Sequence, residues 1–306
     1  MPRNRKRALR RAQDDDYHSA PLLWKELLLT GLKEDGWPWD WTSMGLGARA
    51  RRSVKARIIS KSDGVWAASG LSTAINHVAR ELGAEIVSQC FVADGEALRP
   101  GKLVCEWRGA ASLVLALERP FLNLASYVSG IATSTHRLVE QVRRACPSRP
   151  PRVTATRKTL PHYRDLAVHG VQCGGGFSHR LGLSAGVLIK ENHIASAQGI
   201  GPAINGVRAR APHGLKLEIE VTSGKELKQA LEAGAEAVLL DNFSPSEVRS
   251  AIRVVELTKK RPLIEVSGGL NETNIGDYAI EGVDILSVGS LTHSIRAVDL
   301  SLLIGG

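Results

Sequence analysis

What this sequence lacks closes off several classes of protein. It has no CxxC pair, no stretch near the roughly 18 consecutive apolar residues that a membrane-crossing helix requires, and no apolar core among its first twenty residues. The first gap excludes a zinc knuckle and a thioredoxin-type redox site, the second a helical membrane span, and the third a secretory signal. The four cysteines (Cys90, Cys105, Cys146, Cys173) are therefore expected to be free thiols in a reducing compartment, with the protein in the cytoplasm. Aromatic residues are scarce at 5%, and all six tryptophans lie at or before Trp107. Charge is not scarce. Basic residues outnumber acidic ones by 40 to 31, for a formal net charge of +9. Six of them (Arg3, Arg5, Lys6, Arg7, Arg10, Arg11) crowd the start, so residues 1–15 read as a disordered, solvated arm. The body stays cationic without that arm, which points to an anionic partner. With 43% hydrophobic and 23% charged residues over 306 positions, the chain is neither disordered, collagen-like nor a coiled coil. It is long enough for one large domain or two ordinary ones.

The loss of tryptophan after Trp107 marks a change of character. Before it, Leu22, Leu23, Leu27, Leu28 and Leu32 recur at helical spacing and predict an amphipathic helix over 21–34, stopped by Asp35-Gly36. Residues 54–59 and 64–68 have strand composition, and 71–82 reads as a second helix. The runs 103–107 and 111–117 read as a hairpin turning at Arg108-Gly109. Beyond these, a long helix is predicted over 121–144. Short β-rich runs (152–155, 187–189, 216–221, 237–240, 263–266, 283–288) then alternate with helical segments such as 223–233, 245–257 and 271–281. Strands alternating with helices of this length imply βαβ units and a parallel sheet, which closure into a barrel would bury on both faces. The expected fold class is α/β.

Each predicted strand ends in chemically loaded residues: Arg157-Lys158, Lys190-Glu191, Glu220, Asp241-Asn242, Ser267-Gly268-Gly269 and Gly289-Ser290. In barrels of this kind the C-terminal strand ends form one ring that carries the active site. Cations at Arg157, Lys158, His179, Arg180 and Lys190 repel one another, so they are expected where a multiply charged anion fills the site. The glycine-rich turns offer backbone N–H groups to phosphate. Glu220 and Asp241 could hold Mg²⁺ through diphosphate or steady a sugar cation. The ring thus looks built for a phosphorylated substrate and a second anion bearing carboxylates.

At these residues the sequence resembles quinolinate phosphoribosyltransferase. The resemblance is carried by Thr156-Arg157-Lys158-Thr159-Leu160-Pro161, by Gly174-Gly175-Gly176-Phe177-Ser178-His179-Arg180-Leu181-Gly182-Leu183 and by Leu188-Ile189-Lys190-Glu191-Asn192-His193. Further along stand Leu217-Glu218-Ile219-Glu220-Val221, Leu239-Leu240-Asp241-Asn242-Phe243, Val266-Ser267-Gly268-Gly269 and Ser287-Val288-Gly289-Ser290-Leu291-Thr292. Any one motif is weak, but the ordered series is specific and runs from about residue 21 to residue 303.

The resemblance implies transfer of phosphoribose from 5-phosphoribosyl-1-diphosphate to quinolinate, with Mg²⁺, releasing diphosphate and CO₂ and forming nicotinate mononucleotide for NAD synthesis. It implies an N-terminal α/β sandwich over 16–116, to which 292–306 returns, and an incomplete α/β barrel of six to seven parallel strands over 117–291. It also implies a homodimer, or a multiple of dimers, with shared active sites. Arg157, His179, Arg180 and Lys190 would surround the quinolinate carboxylates, with Lys158 nearby and Arg119 arriving from the partner subunit. Glu220 and Asp241 would face ribose and metal, with Lys190 beside the leaving group. Ser267, Gly268, Gly269, Gly289 and Ser290 would hold the 5′-phosphate.

Other readings stand beside these. Lys190 suits a Schiff-base barrel, His179 a hydrogen-bonded loop, and Glu218 a strand-to-strand ion pair. The basic run 49–57 reads as a solvated strand face, with an RNA-associated protein as the competing function. No nucleic acid or membrane partner is expected. A molybdenum-transport-associated relative with the same barrel is the nearer competitor, but its lysine-bearing strand end departs from the Lys190–His193 pattern. Pro120 after Arg119, His162-Tyr163 and the Trp37–Trp41 segment depart from the family pattern.

Overall fold

In a computed structural model the described residues are 21–305, so the basic arm expected over 1–15 lies outside them. The chain divides into two compact units. The first runs to Ser129 and takes back the chain from Ala297; the second is Gly130–Arg296.

The first unit opens with α1 (Pro21–Glu34), the short α2 (Trp41–Gly45) and a 3₁₀ turn, Gly47–Arg51. Then come β1 (Ser53–Ser60), β2 (Gly64–Val65), α3 (Ser69–Glu81), β3 (Ile86–Cys90), β4 (Ala97–Leu98) and β5 (Leu103–Ala110), with β12 (Leu300–Ile304) from the end of the chain. The sheet runs β12-β1-β5-β3 with every pairing antiparallel. The buried stripe of α1 is Trp24, Leu28 and Leu32, spaced by one turn, whereas Leu22 is exposed. Helix α3 approaches this stripe through Gly70, where an added Cβ would fall 2.6 Å from Trp24 Nε1. On β1 the exposed Lys55 pairs with Glu106 of β5 at 2.8 Å, and Arg57 is also exposed, as a solvated basic face requires.

The hairpin expected at Arg108-Gly109 does not form. Strand β5 continues to Ala110, and helix α4 (Ala111–Ala145) begins at the next residue, ten positions earlier than the helix predicted over 121–144. An apolar run of this length fits strand or helix equally; alanine and leucine, together with the buried positions Val114, Leu117, Phe121 and Leu124, settle it as helix. Gly109 serves packing rather than a turn, since a Cβ there would stand 2.8 Å from the Ile86 side chain and 2.9 Å from the Glu85 carbonyl oxygen. Pro120 lies inside α4, and its ring meets Gly31 of α1, whose added Cβ would be 2.9 Å from it. The division between units falls within α4.

The second unit carries β6 (Arg152–Thr154), α5 (Arg164–Cys173), β7 (Val187–Ile189), α6 (Glu191–Ser196), α7 (Ile200–Arg208), β8 (Leu217–Val221) and α8 (Gly224–Glu232). It continues with β9 (Ala237–Asp241), α9 (Pro245–Glu256), β10 (Leu263–Ser267), α10 (Ile275–Tyr278), β11 (Ile285–Ser287) and α11 (Ser290–His293). Six parallel strands lie in the order β6-β11-β10-β9-β8-β7. Consecutive strands are neighbours except β6 and β7, which form the two edges of an open α/β barrel. Phe177, in the segment between them, bridges to Thr154 and covers part of the β6 edge. The helix expected over 271–281 shrinks to the single turn of α10, and the strand expected over 64–68 to the two residues of β2. The four cysteines are free, and no helix among the described residues is long and apolar enough to cross a membrane.

Candidate active site

Strand periodicity places the site. In a parallel sheet, residues in register share a face and alternate residues along a strand return to it. The register links Glu220, Leu239, Glu265 and Ile285 in one row and Asp241, Ser267, Ser287 and Thr154 in the next. Both rows face the concave side, where Thr154 and Ser287 join their hydroxyls at 2.7 Å. The upper row and the loops beyond it carry most of the polar groups singled out in the sequence.

On one side of that ring, Lys190, at the end of β7, makes an ion pair with Glu220 of β8. The Asp241 carboxyl is raised above its ordinary value, first by burial and then by the charge of Glu220, with Lys190 and Lys158 pulling the other way. Glu220, Asp241, Lys190 and Lys158 therefore act on one another as a single electrostatic group. Lys158 extends over the turn at Gly289, where an added Cβ would meet its Cδ at 3.2 Å, and its carbonyl accepts the Thr292 hydroxyl at 2.7 Å. Two neighbouring carboxylates, Glu220 and Asp241, form an all-oxygen donor set, which suits a hard cation such as Mg²⁺.

The second cluster is cationic. Burial, and then the charge of Arg157, hold Arg180 below its ordinary guanidinium value, with Glu218 offsetting part of the shift. Arg157 Nε is buried without a hydrogen-bond partner among the described residues. Two guanidinium groups set against each other, one with a buried donor unused among the described residues, are suited chemically to receive an anion. Arg180 is tied by a 3.0 Å bond from its guanidinium to the Gly186 carbonyl. Arg164, which the sequence reading passed over, donates to Thr159 Oγ1 at 3.2 Å and to the Leu181 carbonyl at 3.0 Å, and so ties the Arg157 loop to the Arg180 loop.

His179 turns inward. Its Nδ1 accepts the Arg180 backbone N–H at 2.8 Å, and its Nε2 lies 3.2 Å from Glu265 and 3.6 Å from Glu218. Burial, followed by the charge of Glu265 and a hydrogen bond to it, pushes the Glu218 carboxyl up to about 9. Glu218 thus shares the barrel interior with Glu265, on the strand beyond its neighbour, rather than pairing with a cation on an adjacent strand. The β8 alternation hinted at this position, since Glu218 shares a face with Glu220; nothing local marked Glu265.

The third part is the loop set at the ends of β10 and β11. Gly268 has φ +101° and Gly269 φ +61°, backbone that favours glycine. A Cβ on Gly268 would lie 2.2 Å from Asn242 Oδ1, and Asn242 itself has φ +58° with its amide donating to Asp241 at 2.7 Å. Asn271 and Asn274 both donate to the Gly269 carbonyl, at 3.0 and 3.1 Å, which fixes the turn. Ser267, Gly268, Gly269, Gly289 and Ser290 all fall at this end of the second unit. Arg119 is exposed on the part of α4 that belongs to the first unit.

The model of the quinolinate phosphoribosyl transferase C-terminal domain matches residues 131–303, and that of the N-terminal domain matches residues 40–129. The chain is 43% identical over 203 residues to the probable nicotinate-nucleotide pyrophosphorylase (carboxylating) of Methanocaldococcus jannaschii, covering 65% of this chain and 71% of that one. It is 34% identical over 282 residues to the nicotinate-nucleotide pyrophosphorylase (carboxylating) of Homo sapiens, covering 92% of each. The crystal structure of NadC from Streptococcus pyogenes superposes with a TM-score of 0.84 at 31% identity, over 95% of this chain and all 100% of that one.

Proposed function

The chain belongs to the quinolinate phosphoribosyl transferase family, and from that premise we propose how its residues perform the reaction. The protein transfers the phosphoribosyl group of 5-phosphoribosyl-1-diphosphate to quinolinate with decarboxylation, giving nicotinate mononucleotide, diphosphate and CO₂ for NAD synthesis. The observation that carries the site assignment is the opposed pair Arg157 and Arg180, with a buried Arg157 donor left unpaired beside a separate acidic group at Glu220 and Asp241.

The cationic cluster receives the dianion. Arg157 and Arg180 bind the quinolinate carboxylates, with Lys158 and Lys190 at the border between this pocket and the acidic group. The ring nitrogen is thereby aimed at C1′ of the donor, and the low local dielectric strengthens each contact. The C1′–oxygen bond to diphosphate breaks as the C1′–nitrogen bond forms, and Glu220 and Asp241 stabilise the positive charge that develops on the sugar. Lys190 offsets charge on departing diphosphate. Ser267, Gly268, Gly269, Gly289 and Ser290 hold the 5′-phosphate through hydroxyl and backbone N–H groups. Glu220 and Asp241 would also hold Mg²⁺, which when bound neutralises diphosphate charge. Once the pyridine nitrogen is cationic, it stabilises as an ylide the electron pair left on the neighbouring ring carbon when the carboxylate departs as CO₂, and a proton taken up from water at that carbon completes nicotinate mononucleotide.

Arg119, exposed on α4, is assigned to the pocket of a second copy of the chain, so the working form is a homodimer or a multiple of dimers. The protein is placed in the cytoplasm, in keeping with its four free thiols. Arg157→Ala tests the pocket: the quinolinate KM should rise at least about tenfold, as expected when a buried charged hydrogen-bond partner is removed. An unchanged KM would remove Arg157 from the carboxylate site.

A further inference from the structure

Level with Glu220 and one row beneath it, Glu265 and Glu218 form an acidic pair with no part in the reaction described so far. Glu218 stands two residues before Glu220 on β8, and Glu265 two residues before Ser267 on β10, so both face the concave side. Glu265 is 1% exposed and meets the Glu218 carboxyl, while neither of its own buried oxygens has a well-aligned donor among the described residues. A buried carboxyl in that condition is costly unless something uses it. The register neighbours of Glu265 on β9 and β11, Leu239 and Ile285, are apolar and offer no donor. His179 Nε2 stands 3.2 Å away.

The His179 ring is spoken for on both nitrogens. Nδ1 accepts the Arg180 N–H at 2.8 Å, so it carries no hydrogen and the ring proton sits on Nε2, facing Glu265. This tautomer argues against a metal ion among His179, Glu218 and Glu265, although their ligand atoms lie within 4.8 Å of one another. A metal would need the Nε2 lone pair while the Arg180 amide already occupies that of Nδ1.

We propose that Glu265 is a positioning residue for substrate binding: it anchors His179, and His179, through the Arg180 backbone N–H, fixes the place of the Arg180 guanidinium in the carboxylate pocket. This rests on the reading of that pocket as the quinolinate site. His179 then acts behind the pocket rather than on the substrate. Glu265 meets no reacting atom and is reached only through two intervening residues.

The test compares variants in the purified full-length enzyme. Glu265→Ala should raise the quinolinate KM about tenfold or more while kcat and the donor KM stay within about threefold. Glu265→Gln keeps an oxygen to accept from Nε2–H and should restore the KM. His179→Ala should raise the same KM, and Glu265→Ala added to it should have little further effect, because both act through one contact. Long-range ¹H–¹⁵N spectra of the wild-type protein, which need no turnover, should show the His179 proton on Nε2, unmoved by quinolinate.

An unchanged KM in Glu265→Ala, additive effects in the double variant, or a folded Glu265→Gln that fails to rescue would overturn the proposal. So would a proton on Nδ1, or a stoichiometric divalent metal lost in Glu265→Gln. If the wild type fails to turn over quinolinate, the pocket assignment falls, and the spectra still decide the state of His179.

Discussion

Gly268→Ala is the substitution whose cost the geometry sets most directly. At φ +101° an L-residue loses about 1–2 kcal/mol relative to glycine from backbone handedness. The added methyl would stand 2.2 Å from Asn242 Oδ1 and 2.8 Å from Asn242 N. The side chain can swing away, but only by giving up its 2.7 Å bond to Asp241, worth about 1 kcal/mol at this partly exposed position. The backbone nitrogen cannot follow, because it is held to the Ser267 carbonyl at 2.9 Å. Overpacking of that kind adds about 1–3 kcal/mol. The total is roughly 3–6 kcal/mol. At about 2–4 °C per kcal/mol for a unit of this size, the midpoint should fall by roughly 10 °C. Gly269→Ala is the control: its φ is +61°, but nothing lies within 4 Å of the new methyl, so it should cost only about 1 kcal/mol and a few degrees. Thermal unfolding followed by circular dichroism measures both. In the surviving Gly268→Ala protein the donor KM should rise more than the quinolinate KM, because this loop is the one proposed to hold the 5′-phosphate. Equal midpoints for the two variants would refute the steric argument.

Two further substitutions probe the barrel. Asp284 accepts from Arg149 at 3.0 Å, Arg261 at 2.8 Å and the Ile264 amide at 2.9 Å. Asp284→Ala should therefore lower stability by about 2–3 kcal/mol in denaturant titration, and a loss below about 0.5 kcal/mol would show these bonds to be idle. Glu218 titrates near 4.5 in an unfolded chain but near 9 in the native one, so between those values the native state keeps a proton that the unfolded chain has released. Stability should decline as pH rises through that window, by at most about 1.4 kcal/mol per pH unit, and Glu218→Gln should flatten the slope. Identical slopes for wild type and variant would contradict that titration.

The parts of the fold legible in the sequence were those set by local periodicity. The leucine spacing of α1 and the apolar run of β7 mark those elements because one turn or one pleat decides which side is buried. The run 111–117 misled because a short apolar stretch does not distinguish a strand from the start of a helix, and Gly109 resembled a turn when its role was close packing. Helix α5, over Arg164–Cys173, was overlooked because Gly170 and the glycines after Cys173 masked its periodicity. At the site, strand ends rich in Arg, Lys, Asp and Glu announced a charged ring. The inward turn of His179 and its meeting with Glu265 depend on a loop folding over β8 and β10, strands separated by β9, and no spacing along the chain encodes that encounter.

The account depends on the cation cluster receiving a pyridine with two carboxylates and orienting it so that the one beside the nitrogen is lost. Quinolinate labelled with ¹⁴C in that carboxyl, supplied with 5-phosphoribosyl-1-diphosphate and Mg²⁺, tests this in one measurement. The account predicts labelled CO₂ released one-for-one with diphosphate and nicotinate mononucleotide, and no diphosphate release when nicotinate replaces quinolinate. Mononucleotide formed from nicotinate, or label retained in the product, would contradict it.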